Sequence, residues 1–149
     1  GEDARFIARR LVILASEDVG MADPQSLLIA EAAARAVEFV GLPEAQLNLA
    51  QAVIHLATAP KSNRVTEAIF AARAAAREAG AGEVPVHLRD AHYKGAASLG
   101  HGDGYKYPHD DERGWTEQDY LPEEVAGQVF YDPSPHGFES RIRDRWPFP

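Results

Sequence analysis

Alanine is distributed very unevenly along this chain. Of 26 alanines, 21 lie in the first 80 residues, whereas 10 of the 13 aromatic residues and 7 of the 10 prolines come later. No other feature limits the fold as strongly. Alanine has the highest helix propensity and the smallest side chain that still supports a helix, so a run rich in it favours straight helices whose axes approach closely. The aromatic and proline-rich remainder cannot continue as regular helix, because each internal proline removes a backbone donor and clashes with the preceding turn. The change of texture falls at Gly80-Ala81-Gly82. The expected fold class is all-α: one domain, residues 1–149, with an Ala-rich bundle of about four main helices over 1–80. Short helices and ordered aromatic and proline-rich loops follow over 81–149.

Local signals bound the helices. Asp3 to about Glu17 places Ile7, Leu11 and Leu14 on one face, with Phe6 and Ile13 widening it and Arg5 and Arg9 on the wetter side. Asp23-Pro24 offers an N-cap followed by a proline at the first helical position, and Gly41 offers a stop after Val40. Pro43 opens a third helix, on which Leu47, Ala50, Ile54 and Ala57 form one stripe and Asn48, Gln51 and His55 another face; Pro60 ends it. Ser62 caps a fourth, predicted to carry Val65, Ile69, Ala72 and Ala76 inward and to run to Gly80. The best strand candidate, Glu83-Val84-Pro85-Val86, contains a proline that argues against a central strand.

Several functional classes are disfavoured at once. The absence of cysteine leaves no thiolate nucleophile and no cysteine-based zinc site, and points to a reducing, intracellular setting. The apolar run after Arg9-Arg10 is too short for a membrane span. The formal charge is −8, with 7 basic and 13 acidic side chains over residues 81–149. Such a balance repels phosphate backbones, so tight DNA binding by this piece alone is not expected. The first residues, Gly-Glu-Asp with no initiator Met, suggest a fragment of a longer protein.

Chemistry is most concentrated in GHGDGYKYPHD, residues 100–110. His101, Asp103, His109 and Asp110 have the side-chain types of a hydrolytic metal site. Their spacing matches no helical pair such as HExxH, and turn-forming and hydrogen-bonding roles fit better. Gly100, Gly102, Gly104 and Lys106 do not make a phosphate loop, because no GxxxxGK[ST] between strand and helix is present. Tyr105 and Tyr107 could stack bases around Lys106, although Asp103, Asp110, Asp111 and Glu112 flank them; packing anchors are the expected role. Lys61, Ser62 and Asn63, just before a capped helix, form a candidate anion site, against the simpler reading of an N-cap with a solvated lysine. His55 lies on a polar helix face, and His87, His92 and His136 have no partner at ligand spacing. No Ser-His-Asp set is visible. A nucleic-acid surface, were there one, would gather Lys61, Tyr105, Lys106, Arg141 and Arg143.

Six runs taken together carry a resemblance: FIARRLVILASEDVGMADP (Phe6–Pro24), LATAPKSN (Leu56–Asn63), PVHLRDA (Pro85–Ala91), GYKYPHD (Gly104–Asp110), YLPEE (Tyr120–Glu124) and FYDPSPHGFESRIRDR (Phe130–Arg145). In this order they resemble the C-terminal domain of the RarA/MgsA family of AAA+ ATPases, which also includes the eukaryotic Werner helicase-interacting ATPase. The resemblance implies a non-catalytic helical domain that assembles its parent into a homotetramer. It also implies a parent that works on DNA at stalled or damaged replication forks together with single-strand DNA-binding protein, in the cytoplasm at the nucleoid and not in a membrane. ATP and Mg would be held upstream, and this fragment would carry no cofactor. Where the resemblance implies a charged helical tail, this chain reads Arg145-Trp146-Pro147-Phe148-Pro149, whose two prolines prevent one.

Overall fold

A computed structural model describes residues 1–78 and 82–145. Gly80 and Ala81 of the junction, and the Trp146–Pro149 end, lie outside the described residues. The chain forms two compact units, residues 1–71 with 130–149, and residues 72–129. Every regular element among the described residues is helical.

The first unit is built on α1 (Ala4–Leu14), α2 (Gln25–Phe39) and α3 (Ala45–Thr58), with the start of α4 (Arg64–Glu78) and with α5 (Phe138–Arg145). The local signals work as read. The Asp3 side chain accepts from the Arg5 amide at 2.9 Å, and Asp23 accepts from the Gln25 amide at 3.3 Å. Gly41, at φ +77°, closes α2 by donating to the Ala36 carbonyl, a left-handed turn in which glycine is the least strained residue. The Ser62 hydroxyl accepts from the Arg64 amide at the start of α4. The first helix does not run unchanged to Glu17: Ala15–Val19 widens into a π turn that leads into a tight turn at Gly20–Ala22.

The core is small and made of small residues. Ala15, Val19, Ala30 and Leu56 are buried together, and Leu11, Val12, Leu14 and Ala59 pack around them. Ala8, Ala33, Ala45 and Ala52 are also buried, which lets α1, α2 and α3 come close.

Three expectations are corrected. Phe6 and Ile13 are exposed rather than part of the packed face of α1. On α3 the buried stripe is Ala45, Leu49, Ala52 and Leu56, while Leu47, Ala50, Ile54 and Ala57 face outward. No described residue of α4 is buried, and Ile69 and Ala76 are exposed, because in this unit α4 docks mainly through its first turn. There the Thr66 hydroxyl donates to the Glu17 carbonyl at 3.2 Å.

After the second half of α4, the described residues of the second unit form loops punctuated by 3₁₀ turns at Val86–Leu88, Ala96–Leu99, Pro108–Asp110 and Glu123–Val125. Gly102 is required by close approach as well as by its φ of +78°: a Cβ there would sit 2.7 Å from the Ala91 Cβ.

Candidate functional site

Three of the sequence runs converge in the first unit. The Ser62 amide donates to the Asp18 carbonyl at 2.7 Å, fastening the start of α4 to the turn after α1. Gly20, at φ +53°, is pressed against the same place, where a Cβ would lie 3.1 Å from the Ser62 carbonyl oxygen. Gly137, also at φ +53°, admits the Pro133–Glu139 segment between Ala22 and Pro60, where no Cβ fits. An open hollow of about 660 Å³ marks the junction, lined in part by Lys61, Ser62, Asn63, Arg64, Ser134 and His136.

Glu139 is the centre of this junction. It is 0% exposed, although it sits in the highly charged helix FESRIRDR. The Tyr131 hydroxyl donates to its Oε1 at 2.9 Å, and the Ser134 amide donates to Oε2 at 3.0 Å. Burial alone would raise the pKa of this carboxyl. Hydrogen bonds from the Ser134, Ser62 and Tyr131 side chains and the Ser134 backbone outweigh burial and hold it below the ordinary glutamate value. Tyr131 is shifted upward, first by its own burial and then by its bond to Glu139. A carboxylate held ionised, buried and saturated with donors is a poor proton donor or acceptor. Its chemistry is that of a structural clasp.

The cations near the hollow are engaged in the same structural work. Lys61 Nζ donates to the Leu56 carbonyl at 2.7 Å and to the Ala59 carbonyl, closing the end of α3. Arg64 pairs with Glu67 at 2.9 Å and lies 3.8 Å from Asp132. The Asn63 amide group donates to Glu67 at 3.0 Å. Lys61, though exposed, thus also serves as a helix-end cap. On α5, Arg141 and Arg143 are exposed, and Arg145 lies over the Phe138 ring.

A Ser-His-Asp cluster that the sequence did not reveal also forms in this unit. His55 Nε2 lies 2.7 Å from Asp23 Oδ2 and 3.1 Å from Ser26 Oγ, and Ser26 Oγ donates to Asp23 Oδ2 at 2.7 Å. This is not a nucleophilic triad. A relay needs the serine and the carboxylate on opposite ring nitrogens, whereas both meet Nε2 here, and Ser26 is fully buried. The cluster ties the α2 N-cap to α3. Burial opposes ionisation of Asp23, but its bonds from Ser26, His55 and the Gln25 amide prevail and lower its pKa.

Tyr105, Lys106 and Tyr107 belong to the second unit. Lys106 Nζ donates to the Glu117 carbonyl at 3.0 Å, and Gln118 grips the Lys106 backbone from both sides, accepting from its amide at 3.1 Å and donating to its carbonyl at 2.9 Å. Gln118 thus holds this loop, a role that no local motif around it signals. Tyr105 and Tyr107 remain about half exposed and so are not buried anchors, while Pro108–Asp110 closes as a turn through backbone bonds, as expected. His101 bonds the Tyr93 hydroxyl at 2.7 Å, and the His109 ring lies 5.1 Å from that of Tyr107. Among the described residues, no group of three His, Asp or Glu side chains is placed to hold a metal ion.

The largest unexplained feature of the first unit is apolar. On α2, Leu28 and Phe39 are 70% and 88% exposed; on α3, Leu47 and Ile54 are 72% and 65% exposed. At 100° per residue, Leu28, Ala32 and Phe39 lie opposite the buried Ser26, Ala30 and Ala33, and the α3 stripe lies opposite Ala45, Leu49, Ala52 and Leu56. Val40 and Leu42, in the turn between the two helices, are exposed as well. α3 is therefore apolar on two sides with only one covered, while on α2 the exposed Leu28, Ala32 and Phe39 share their side with the exposed Arg35.

The chain matches, over residues 1–148, the family described as MgsA AAA+ ATPase C terminal. It is 57% identical over 145 residues to an uncharacterised AAA domain-containing protein of Mycobacterium tuberculosis, a match covering 97% of this chain and 32% of that protein. It is 48% identical to replication-associated recombination protein A of Bacillus subtilis, covering 95% of this chain and 34% of that protein, and 42% identical to its namesake in Escherichia coli, covering 97% and 33%. The chain thus spans about a third of the length of these curated relatives. No helix among the described residues is long and apolar enough to cross a membrane. Taken with the matched motifs, the whole-length match shows that this chain belongs to the C-terminal domain family of the MgsA-type AAA+ ATPases.

Proposed function

We propose that this chain is the self-assembly domain of a replication-associated recombination ATPase, joining four copies into a homotetramer without catalysing a reaction itself. The observation that carries this reading is the set of large apolar side chains left uncovered on α2 and α3, with Leu28, Phe39, Leu47 and Ile54 mostly exposed. Burying such a side chain fully is worth about 1.5–3 kcal/mol, and four of them at roughly 70% exposure amount to about 4–8 kcal/mol per copy. In a two-fold contact the gain is counted on both copies, which reaches the range needed to offset the roughly 4–15 kcal/mol cost of association. An exposed apolar surface of this kind on a soluble helical unit is a mark of an interaction site.

Joined in this way, the ATPase parts of the parent would be held at high effective concentration and in fixed relative orientation. ATP, Mg, DNA and single-strand DNA-binding protein belong, in this reading, to the parent protein at the nucleoid rather than to this domain. The alternative of a DNA- or partner-binding module rests on Lys61, Ser62, Asn63, Tyr105, Lys106, Tyr107, Arg141 and Arg143. It gains little support from two lysines already committed to backbone carbonyls. Light scattering coupled to size-exclusion chromatography tests the assembly reading: a species near four times 16.2 kDa at micromolar concentration is expected, and a monomer throughout would sink it.

A further inference from the structure

The second unit contains a groove made from residues outside α2 and α3. Residues 83–89 and 119–126 form its two walls around an open volume of about 670 Å³, within the range of roughly 300–1,000 Å³ over which proteins hold ligands. Val84, Val86 and Leu121 give it an apolar lining, and Val84 and Val86 are left exposed. His87 Nε2, 2.8 Å from the Asp119 carbonyl oxygen, links the walls.

The charges of the groove are unbalanced. Arg89 is committed to its own wall, with Nε donating to the Val84 carbonyl and a guanidinium nitrogen to Glu83, both at 2.7 Å. Asp119, Glu123 and Glu124 are exposed along the other wall, and among the described residues no cation is paired with any of them. Residues 72–129 as a whole carry 6 basic and 11 acidic side chains. Such a field repels nucleic acid and acidic peptides alike. Its complement is a segment that brings cations to the carboxylates and an apolar side chain to the valines.

We propose that this groove docks a short extended segment of another protein, in which lysine or arginine side chains flank a residue of valine or leucine type. The apolar residue lies on Val84, Val86 and Leu121, and the flanking cations meet Asp119, Glu123 and Glu124.

Fluorescence anisotropy on the intact chain tests this with labelled peptides Lys-Val-Lys-Leu-Lys, Lys-Ser-Lys-Ser-Lys and Glu-Val-Glu-Leu-Glu. The first is expected to bind at least tenfold more tightly than the other two. The double variant E123K/E124K is expected to weaken it tenfold or more, and D103K/E112K, with the same charge change outside the groove, to leave it within twofold. V84S/V86S should erase the preference for the valine-containing peptide over the serine one. Equal binding of the two basic peptides, equal losses in both charge variants, or no binding would overturn the proposal. Tighter binding of a peptide copying residues 138–145 would also overturn it, by naming a second copy as the occupant, and tighter binding of a single-stranded oligonucleotide would assign the surface to nucleic acid.

Discussion

Replacing Glu139 by alanine should be among the most damaging single changes in this domain. The carboxylate is fully buried and accepts from the Tyr131 hydroxyl and the Ser134 amide at 2.9 and 3.0 Å. Removing it orphans the Ser134 amide in a buried position and the Tyr131 hydroxyl in a partly buried one, at about 1–3 kcal/mol each, with a further contribution from the space left behind. The expected total is about 3–5 kcal/mol, a large share of the roughly 5–15 kcal/mol that holds a typical domain folded. Glu139→Gln keeps one acceptor but turns an amide group toward a donor, so a smaller loss of about 1–3 kcal/mol is expected. Urea unfolding followed by circular dichroism at fixed protein concentration measures both. With a slope of about 1–3 kcal/mol per molar, the alanine variant should lose more than about 1 M in midpoint.

A double cycle with Tyr131→Phe should return a coupling of about 0.5–3 kcal/mol. The pH dependence adds a separate check. The folded pKa of Glu139 lies below its ordinary value of 4.5, so its stabilisation is complete above that pH and is lost as pH falls through the lowered folded value. The wild type should lose stability on the acid side, and Glu139→Gln should flatten that limb. An alanine variant within about 0.5 kcal/mol of the wild type would refute the clasp.

Gly137→Ala should cost at least about 2 kcal/mol, because φ is +53° and a Cβ would collide with the Ala22 carbonyl and sit 2.6 Å from Pro60 Cγ; a thermal melt unchanged within about 2 °C would contradict it. Asp23→Asn should cost about 1–2 kcal/mol, because asparagine caps a helix about as well as aspartate but makes weaker, uncharged bonds to Ser26 and His55. Asp23 also has a lowered folded pKa, so its stabilisation is present above the ordinary value of 3.8 and fades as pH falls through the folded one; the variant should show a flatter acid limb in urea unfolding at pH 3 to 6.

What was legible in the sequence was local. Asp3, Asp23-Pro24, Gly41 and Ser62 act through neighbours a few residues away, so their capping roles follow from the run in which they stand. The faces of α3 were not legible, because both of its stripes are apolar. Periodicity finds such stripes but cannot say which one the chain covers, and here the larger side chains, Leu47 and Ile54, are the uncovered ones. Glu139 was hidden more deeply. In FESRIRDR a glutamate reads as a surface residue, and only the fold brings Ser62 from 77 positions away to join Tyr131 and Ser134 around it. His55 likewise meets Asp23 across 32 residues.

Self-assembly through the uncovered apolar residues of α2 and α3 is tested directly by sedimentation equilibrium of the wild type beside Leu47→Ser/Ile54→Ser. Each serine removes about 1–2 kcal/mol of burial per copy and is counted on both sides of a two-fold contact, so association should weaken by at least a hundredfold. The wild type is expected at a mass near four times 16.2 kDa, and the variant is expected to dissociate while keeping its helical circular dichroism. A wild type that sediments as a monomer, or a folded variant with unchanged mass, would contradict it.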